Sequence, residues 1–181
     1  DWVWDTYLAH HPLRMILDPE QQADMLQSYA LMYQQSGWMP TFPQVFGDYH
    51  AMNGHHYVIT FLDAWRKGIR NFDAELAFEA MVKGANNEGP IEALGRDGVH
   101  YYNKLGYIPY NVGKSESVSK TLEYAYNDYC ISIMTKALGK PQEIVDLYAK
   151  RAMNYKHVFD SSINFVRAKD DKGNWMSPFR P

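Results

Sequence analysis

The sequence has little cysteine, no long apolar run and no concentration of basic charge. Cys130 is the single cysteine among 181 residues, so no disulfide forms within the chain. No apolar stretch is long enough to span a bilayer. Lysine and arginine are scattered and the net charge is −3, which offers a phosphate backbone no basic surface. These absences argue against a disulfide-stabilised module, a membrane-spanning helix and a nucleic-acid partner.

Several short catalytic and metal-binding motifs are also missing. There is no His-Glu-x-x-His zinc motif and no Gly-x-Ser-x-Gly nucleophile motif. The loop from Asp170 to Asn174 lacks the alternating acidic ligands and the final glutamate of a calcium-binding loop. Cys130 falls in a helical pattern, which predicts a small buried core residue instead of a nucleophile. No metal ligands are therefore assigned within the chain.

Hydrophobic residues recur at helical spacing along most of the chain. The pattern predicts five helices: Pro19 to Gln35, Gly54 to Gly68, Ala74 to Ala85, Ser115 to Leu138, and Pro141 to about Phe159. Asp18 and Asp73 are predicted N-caps, Pro19 suits a first helical position, and Gly37 suits a helix end. The fold class is therefore all-α, with helical hairpins arranged as a bundle or a toroid.

The remaining segments are predicted to be loops with little strand. Asn86 to Gly98 has a turn-like composition, and Ser161 to Trp175 is expected to form a short hairpin around Asp171 to Asn174. The chain begins at Asp1 inside an aromatic motif and stops at Pro181, which leads us to expect an excised or processed piece of a larger chain. Residues 1–181 are accordingly treated as one partial domain.

Aromatic residues make up 15% of the chain, with 14 Tyr and 5 Trp. A polar-lined core explains this content, and rings that stack on sugars are the alternative. The first aromatic cluster is Trp2-Val3-Trp4-Asp5-Thr6-Tyr7. Asp5 can accept two hydroxyl hydrogen bonds while the Trp4 ring covers the apolar face of a sugar. The competing interpretation is an N-terminal packing unit in which Asp5 caps a helix.

A second polar cluster, from Gly47 to His56, opens the second predicted helix. Free N–H groups at a helix start favour oxygen-rich ligands, which favours a sugar contact by one of the two histidines. His55 and His56 are adjacent, so on a helix they point about 100° apart and do not easily share a metal. The alternative is one buried, hydrogen-bonded histidine and one exposed histidine.

A third cluster runs from Ser115 to Tyr129 and opens the fourth predicted helix. Ser115 or Ser117 is predicted to cap this helix. Glu116, Lys120 and Glu123 lie at helical spacing, which indicates a solvated ladder of charges.

The carboxylates of this third cluster allow two interpretations. Hydrolysis of a glycosidic bond generally needs a pair of carboxylates. The interpretation we favour for Glu123 and Asp128 is a polar network that orients the helix within the fold.

Four stretches occur in a characteristic order across nearly the whole chain. They are Trp4-Asp5-Thr6-Tyr7 with His11-Pro12-Leu13, Met52 to His56 leading to Asp63 to Gly68, Ser117 to Tyr126, and Arg151 to Phe179. In order and approximate spacing they resemble the glycoside hydrolase family 92 α-mannosidases. The chain departs from that pattern at Leu8, where the family often has arginine.

The resemblance implies a fold, an activity and a cofactor. It implies part of an (α/α)6 toroid, which is the catalytic domain of a larger chain, and an exo-acting, inverting, calcium-dependent hydrolase of α-mannosides such as α-1,2-mannosidic linkages. It also implies a bacterial enzyme that is periplasmic or secreted. The family's catalytic acid, its base and most of its calcium ligands are expected after Pro181, so no catalytic residue is assigned here.

By the same resemblance, Asp5 contacts the hydroxyls of the terminal mannose, and His55 and His56 lie near that pocket. The substrate-binding candidates are Trp4, Asp5, Asn53, His55 and His56. The expected partners are a glycan, the rest of the protein's own chain and, through an exposed apolar flank, a second copy. The alternatives are a non-catalytic helical carbohydrate-binding or scaffold module, and another toroid glycosidase of the trehalase or glucoamylase type.

Overall fold

The computed structural model of the protein describes residues 1–180, and most of them are helical. The α-helices are α1 (Val3–Thr6), α2 (His10–Leu17), α3 (Pro19–Ser36), α4 (Tyr57–Arg66), α5 (Ala74–Asn86), α6 (Val99–Leu105), α7 (Ser117–Ala137) and α8 (Gln142–Arg151). A 3-10 helix, Ala152–Val158, continues from α8. The all-α prediction is confirmed. No helix within residues 1–180 combines the length and the apolar composition that crossing a membrane requires.

Local signals in the sequence explain where the long helices begin and end. The Asp18 carboxylate accepts a hydrogen bond from the Gln21 amide at 3.1 Å, Pro19 occupies the first turn, and Gly37 ends α3 with φ of 80°. The Asp73 carboxylate caps α5 in the same way through the Leu76 amide, at 2.9 Å. These predicted caps are confirmed.

Two predicted helix starts are wrong. The second predicted helix starts later, at Tyr57, because Gly54 has φ of 79° and residues 54–56 form a turn. The start of α7 carries no side-chain cap from Ser115 or Ser117, because Glu116 occupies the N-cap position with φ of 52°.

Strands contribute two short antiparallel hairpins. β1 (Pro43–Gln44) pairs with β2 (Gly47–Asp48), and β3 (Phe159–Asp160) pairs with β4 (Phe165–Val166). The predicted turn at residues 171–174 is closed by a single bridge between Lys169 and Trp175.

The core lies where α7 packs against α4, α5 and α8. Residues at helical spacing are buried along two helices: Ala23, Leu26, Ala30 and Tyr33 on α3, and Val58, Phe61 and Leu62 on α4. Trp65, on the same side of α4, is partly buried against this core. Cys130 is buried as predicted. On α2, by contrast, Leu13, Ile16 and Leu17 are exposed, and Leu8 just before α2 is exposed as well. The expected apolar flank is therefore present.

Candidate sugar site

The start of α1, the turn before α4 and the first turns of α7 meet at one end of the helices. Together with the loop that follows α5, they line an open cavity of about 720 Å³. Its walls include Trp4, Asn53, Ile91, Glu92, Glu116 and Ser119. The three polar clusters of the sequence are thus brought to one place.

Two of the five predicted sugar-binding residues line this cavity. Trp4 is 41% exposed, so its ring is free to meet a ligand. Asn53 donates its Nδ2 hydrogen to Glu116 Oε2 at 2.5 Å, which ties the turn before α4 to the start of α7. An exposed indole beside an amide and a carboxylate suits a polyhydroxylated ring, which has apolar C–H faces and polar edges.

Asp5 lies next to Trp4 but is not part of the cavity wall. It sits inside α1, where Trp2 holds the N-cap position without a side-chain cap, so the interpretation of Asp5 as a helix cap is wrong. The residue is exposed. Its role as a contact to the mannose hydroxyls stays a prediction.

His55 is buried away from the cavity walls. Its Nε2–H donates to the Gly95 carbonyl at 2.9 Å, and its amide donates to Asn127 Oδ1 at 2.8 Å. Burial, aided by the nearby Arg96 charge, lowers the pKa of His55 to about 3. The neutral imidazole therefore ties the turn before α4 to the loop after α5.

His56 is buried too, so the expectation of one exposed histidine in the pair is wrong. Its ring stacks on Tyr7 with centroids 4.3 Å apart and an angle of 5° between the planes. Its Nε2 lies 3.2 Å from Glu123 Oε2. Burial lowers the pKa of His56 to about 4, which leaves the ring neutral at physiological pH.

Glu123 is half-buried between His56 and the first aromatic cluster. Burial raises the pKa of its carboxyl.

The predicted charge ladder on α7 does not form, because Lys120 is buried and turns towards the loop after α5. Its Nζ lies 2.6 Å from Glu92 Oε1 and 2.8 Å from Asp97 Oδ2. Burial alone would lower the pKa of Lys120, but the hydrogen bonds to these two carboxylates raise it. The lysine holds Glu92 at the cavity wall.

A buried ionic network below the cavity confirms the interpretation of Asp128 as part of a polar network within the fold. Its carboxylate accepts from Arg96 Nη1 at 2.7 Å, from Arg151 Nε at 2.9 Å and from the Tyr102 hydroxyl at 3.0 Å. Sequence reasoning missed Arg96 and Arg151, because both are far from Asp128 along the chain and give no local signal of the pairing.

Within residues 1–180 no three His, Cys, Asp or Glu side chains converge in a way that could hold a metal ion. In the one loop with a superficial resemblance to a calcium site, the Asp170 carboxylate accepts from Lys172 N, Asn174 N and Asn174 Nδ2 of its own turn. No chemical step is assigned to a metal here.

Comparisons with known proteins agree with this geometry. Residues 1–181 match the model of the glycosyl hydrolase family 92 catalytic domain. A protein of Arthroderma benhamiae described as an uncharacterized secreted glycosidase is 34% identical over 174 residues, covering 91% of this chain and 22% of that protein. The chain therefore spans less than a quarter of the length of this relative.

Solved structures show the same fold. A family GH92 inverting mannosidase from Bacteroides thetaiotaomicron VPI-5482 superposes with a TM-score of 0.93 at 42% identity, covering 99% of this chain and 24% of that one. A family GH92 α-mannosidase from the same species, in complex with mannoimidazole, gives 0.89 at 36% identity, covering 99% and 23%. The prediction of helical hairpins that form part of an (α/α) toroid is confirmed.

Proposed function

This chain belongs to glycosyl hydrolase family 92, and we therefore propose that it supplies part of the sugar site of an α-mannosidase. The proposed reaction is exo-acting, inverting hydrolysis of α-mannosides, with α-1,2-mannosidic linkages among the substrates. The observation that carries the proposal is the cavity that the exposed Trp4 lines together with a hydrogen-bonded pair, Asn53 and Glu116.

Within this site each candidate has a proposed task that its environment permits. Trp4 covers the apolar face of the sugar, and Asn53 reads a hydroxyl at the cavity wall. Asp5 is an exposed carboxylate beside Trp4, so it can reach hydroxyls that project from the cavity. His55 and His56 are proposed to support the site from beneath the cavity wall, because both are buried and neutral.

The catalytic acid and base are proposed to come from other parts of a longer protein. An inverting hydrolase needs a proton donor and a base on opposite sides of the sugar. The ligands of calcium are likewise proposed to lie outside residues 1–180. Export to the periplasm or the cell exterior is proposed as well, supported by a relative described as secreted.

The test is made on the purified full-length protein that contains this chain. It should release the aryl group from an aryl α-mannoside, and NMR of the first sugar formed should show β-mannose, the inverted anomer. Aryl β-mannoside and trehalose serve as matched controls. Turnover of trehalose alone would favour another toroid glycosidase, and binding of mannosides without any turnover would favour a non-catalytic module.

A further inference from the structure

The loop between α5 and α6 places one carboxylate, that of Glu92, on the wall of the sugar cavity. The backbone of this loop bonds to itself, from Gly89 N to the Leu94 carbonyl at 2.7 Å and from Leu94 N to the Ile91 carbonyl at 3.0 Å. A Cβ added at Gly89 would clash with the Leu94 carbonyl oxygen, so only glycine fits there. Glu92 is therefore carried by a tightly folded loop and not by a loose one.

The two oxygens of the Glu92 carboxylate have different surroundings. Oε1 accepts hydrogen bonds from Lys120 Nζ at 2.6 Å and from Ser115 Oγ at 2.8 Å. Oε2 makes no hydrogen bond with any other group of residues 1–180. The Glu92 side chain is 61% exposed, whereas that of Lys120 is only 1% exposed. One oxygen is thus anchored from beneath the cavity wall, and the other is available to a ligand.

The buried lysine keeps this carboxylate both in place and ionised. A buried ammonium group is costly unless it is paired, and Lys120 Nζ donates its three hydrogens to Glu92, Asp97 and Ser115. The hydrogen bonds from Lys120 and Ser115 lower the pKa of Glu92 below its usual value. An ionised carboxylate only accepts hydrogen bonds, so its free oxygen needs a donor from the ligand.

We propose that Glu92 is a specificity-determining residue of the sugar site, whose Oε2 accepts a hydrogen bond from one hydroxyl group of the mannose residue. The role rests on the proposed α-mannosidase function. Bonds to a charged acceptor are stronger than neutral ones, and a site built to bind a hydroxyl rejects the analogue that lacks it. Glu92 does not donate a proton to the glycosidic oxygen, because Lys120 keeps it ionised.

The test compares the wild-type full-length enzyme with Glu92→Gln on five substrates. They are an aryl α-mannoside and its four analogues that each lack one hydroxyl group of the sugar. Glutamine keeps the size of the side chain, and its carbonyl can still accept from Lys120, but the charge is lost. We expect kcat/KM for the parent and for three analogues to fall about tenfold. On the analogue without the hydroxyl that Glu92 binds, the two proteins should agree within about twofold.

The matched control is Glu75→Gln. Glu75 is 66% exposed and is also paired with a lysine, Lys140, but it lies on α5 outside the cavity. This substitution should leave kcat/KM unchanged on all five substrates.

A second measurement does not depend on turnover. Calorimetric titration with methyl α-mannoside should show Kd raised about tenfold in Glu92→Gln and unchanged in Glu75→Gln. Titration with the matching deoxy analogue should give the wild type and Glu92→Gln the same Kd.

The outcomes separate the two proposals. A loss of equal size on all five substrates overturns the role of Glu92, and so does the absence of any loss or a loss in kcat with Kd unchanged. If the wild type binds methyl α-mannoside but cleaves no aryl α-mannoside, the proposed hydrolysis fails and the Kd values decide the role of Glu92. A wild type that neither binds nor cleaves overturns both proposals. If Glu92→Gln does not fold, the same criteria apply to Glu92→Ala.

Discussion

At the scale of single residues, a substitution of Asp5 distinguishes an effect on sugar binding from an effect on stability. Its carboxylate is exposed and does not cap α1, so Asp5→Asn should leave the melting temperature unchanged. If Asp5 accepts hydroxyl hydrogen bonds from mannose, the substitution should lower kcat/KM of the full-length enzyme about tenfold, because bonds to a charged acceptor are stronger than neutral ones. Asp24→Asn, at another exposed aspartate, is the control. An unchanged kcat/KM would remove Asp5 from the site.

His55 is a residue whose burial has a measurable pH signature. Its folded-state pKa of about 3 lies below the unfolded value, so unfolding takes up a proton between these two values. The contribution to stability is complete above about pH 6.5 and is lost as the pH falls through that window, with a slope approaching about 1.4 kcal/mol per pH unit.

The measurement for His55 is urea unfolding of this chain from pH 7 to pH 4. His55→Gln, whose side-chain amide can still donate to the Gly95 carbonyl, should reduce the slope, and the buried His56 keeps its own contribution. His100→Gln removes an exposed histidine and should not. A wild-type slope retained in His55→Gln would contradict the assignment.

At the scale of elements, Lys120 joins α7 to the loop after α5. Lys120→Met keeps the length of the side chain and removes the ion pairs with Glu92 and Asp97. Asp97 keeps its contact with Lys114, so we expect a moderate loss of about 1–2 kcal/mol in the free energy of unfolding. Urea denaturation measures it, with the exposed Lys136→Met on the same helix as control. Equal stability of both variants would show that the contact is not structural.

Elements with strong local signals could be predicted from the sequence, and elements specified by distant contacts could not. Asp18, Asp73 and Gly37 mark helix ends through bonds to their own neighbours, so α3 and α5 were predicted to within one residue. The seven residues of α6 lie between two left-handed glycines and are too few to show a period.

In the site, too, residues with a local signal could be predicted from the sequence, and contacts between distant residues could not. Trp4 and Asn53 stood in polar clusters and were recognised as candidates. Glu92 lies in a turn-like segment, and its link to Lys120 joins residues 28 positions apart. The burial of His56 likewise depends on Tyr7 and Glu123, neither of which is near it in sequence. No local pattern carries such information.

At the scale of the whole molecule, the apolar flank of α2 predicts self-association. Leu13, Ile16 and Leu17 lie three and four positions apart, so they form one exposed face. Such a face favours contact with a second copy when nothing else covers it. Sedimentation velocity of the 181-residue chain should show dimers or larger species, and Ile16→Glu should shift them to monomer. Ile163→Glu, at an exposed position on another surface, should not; a monomeric wild type would contradict the prediction.

The last prediction concerns the chemistry of the chain by itself. The two carboxylates that line the cavity are already engaged, Glu92 with Lys120 and Glu116 with Asn53. Neither is a free acid facing a free base across a sugar, as an inverting hydrolysis needs. The purified 181-residue chain should therefore release no aryl group from an aryl α-mannoside. The full-length protein, assayed in parallel, is expected to release it. Turnover by the short chain that is abolished by Glu116→Gln would place a catalytic carboxylate within these residues.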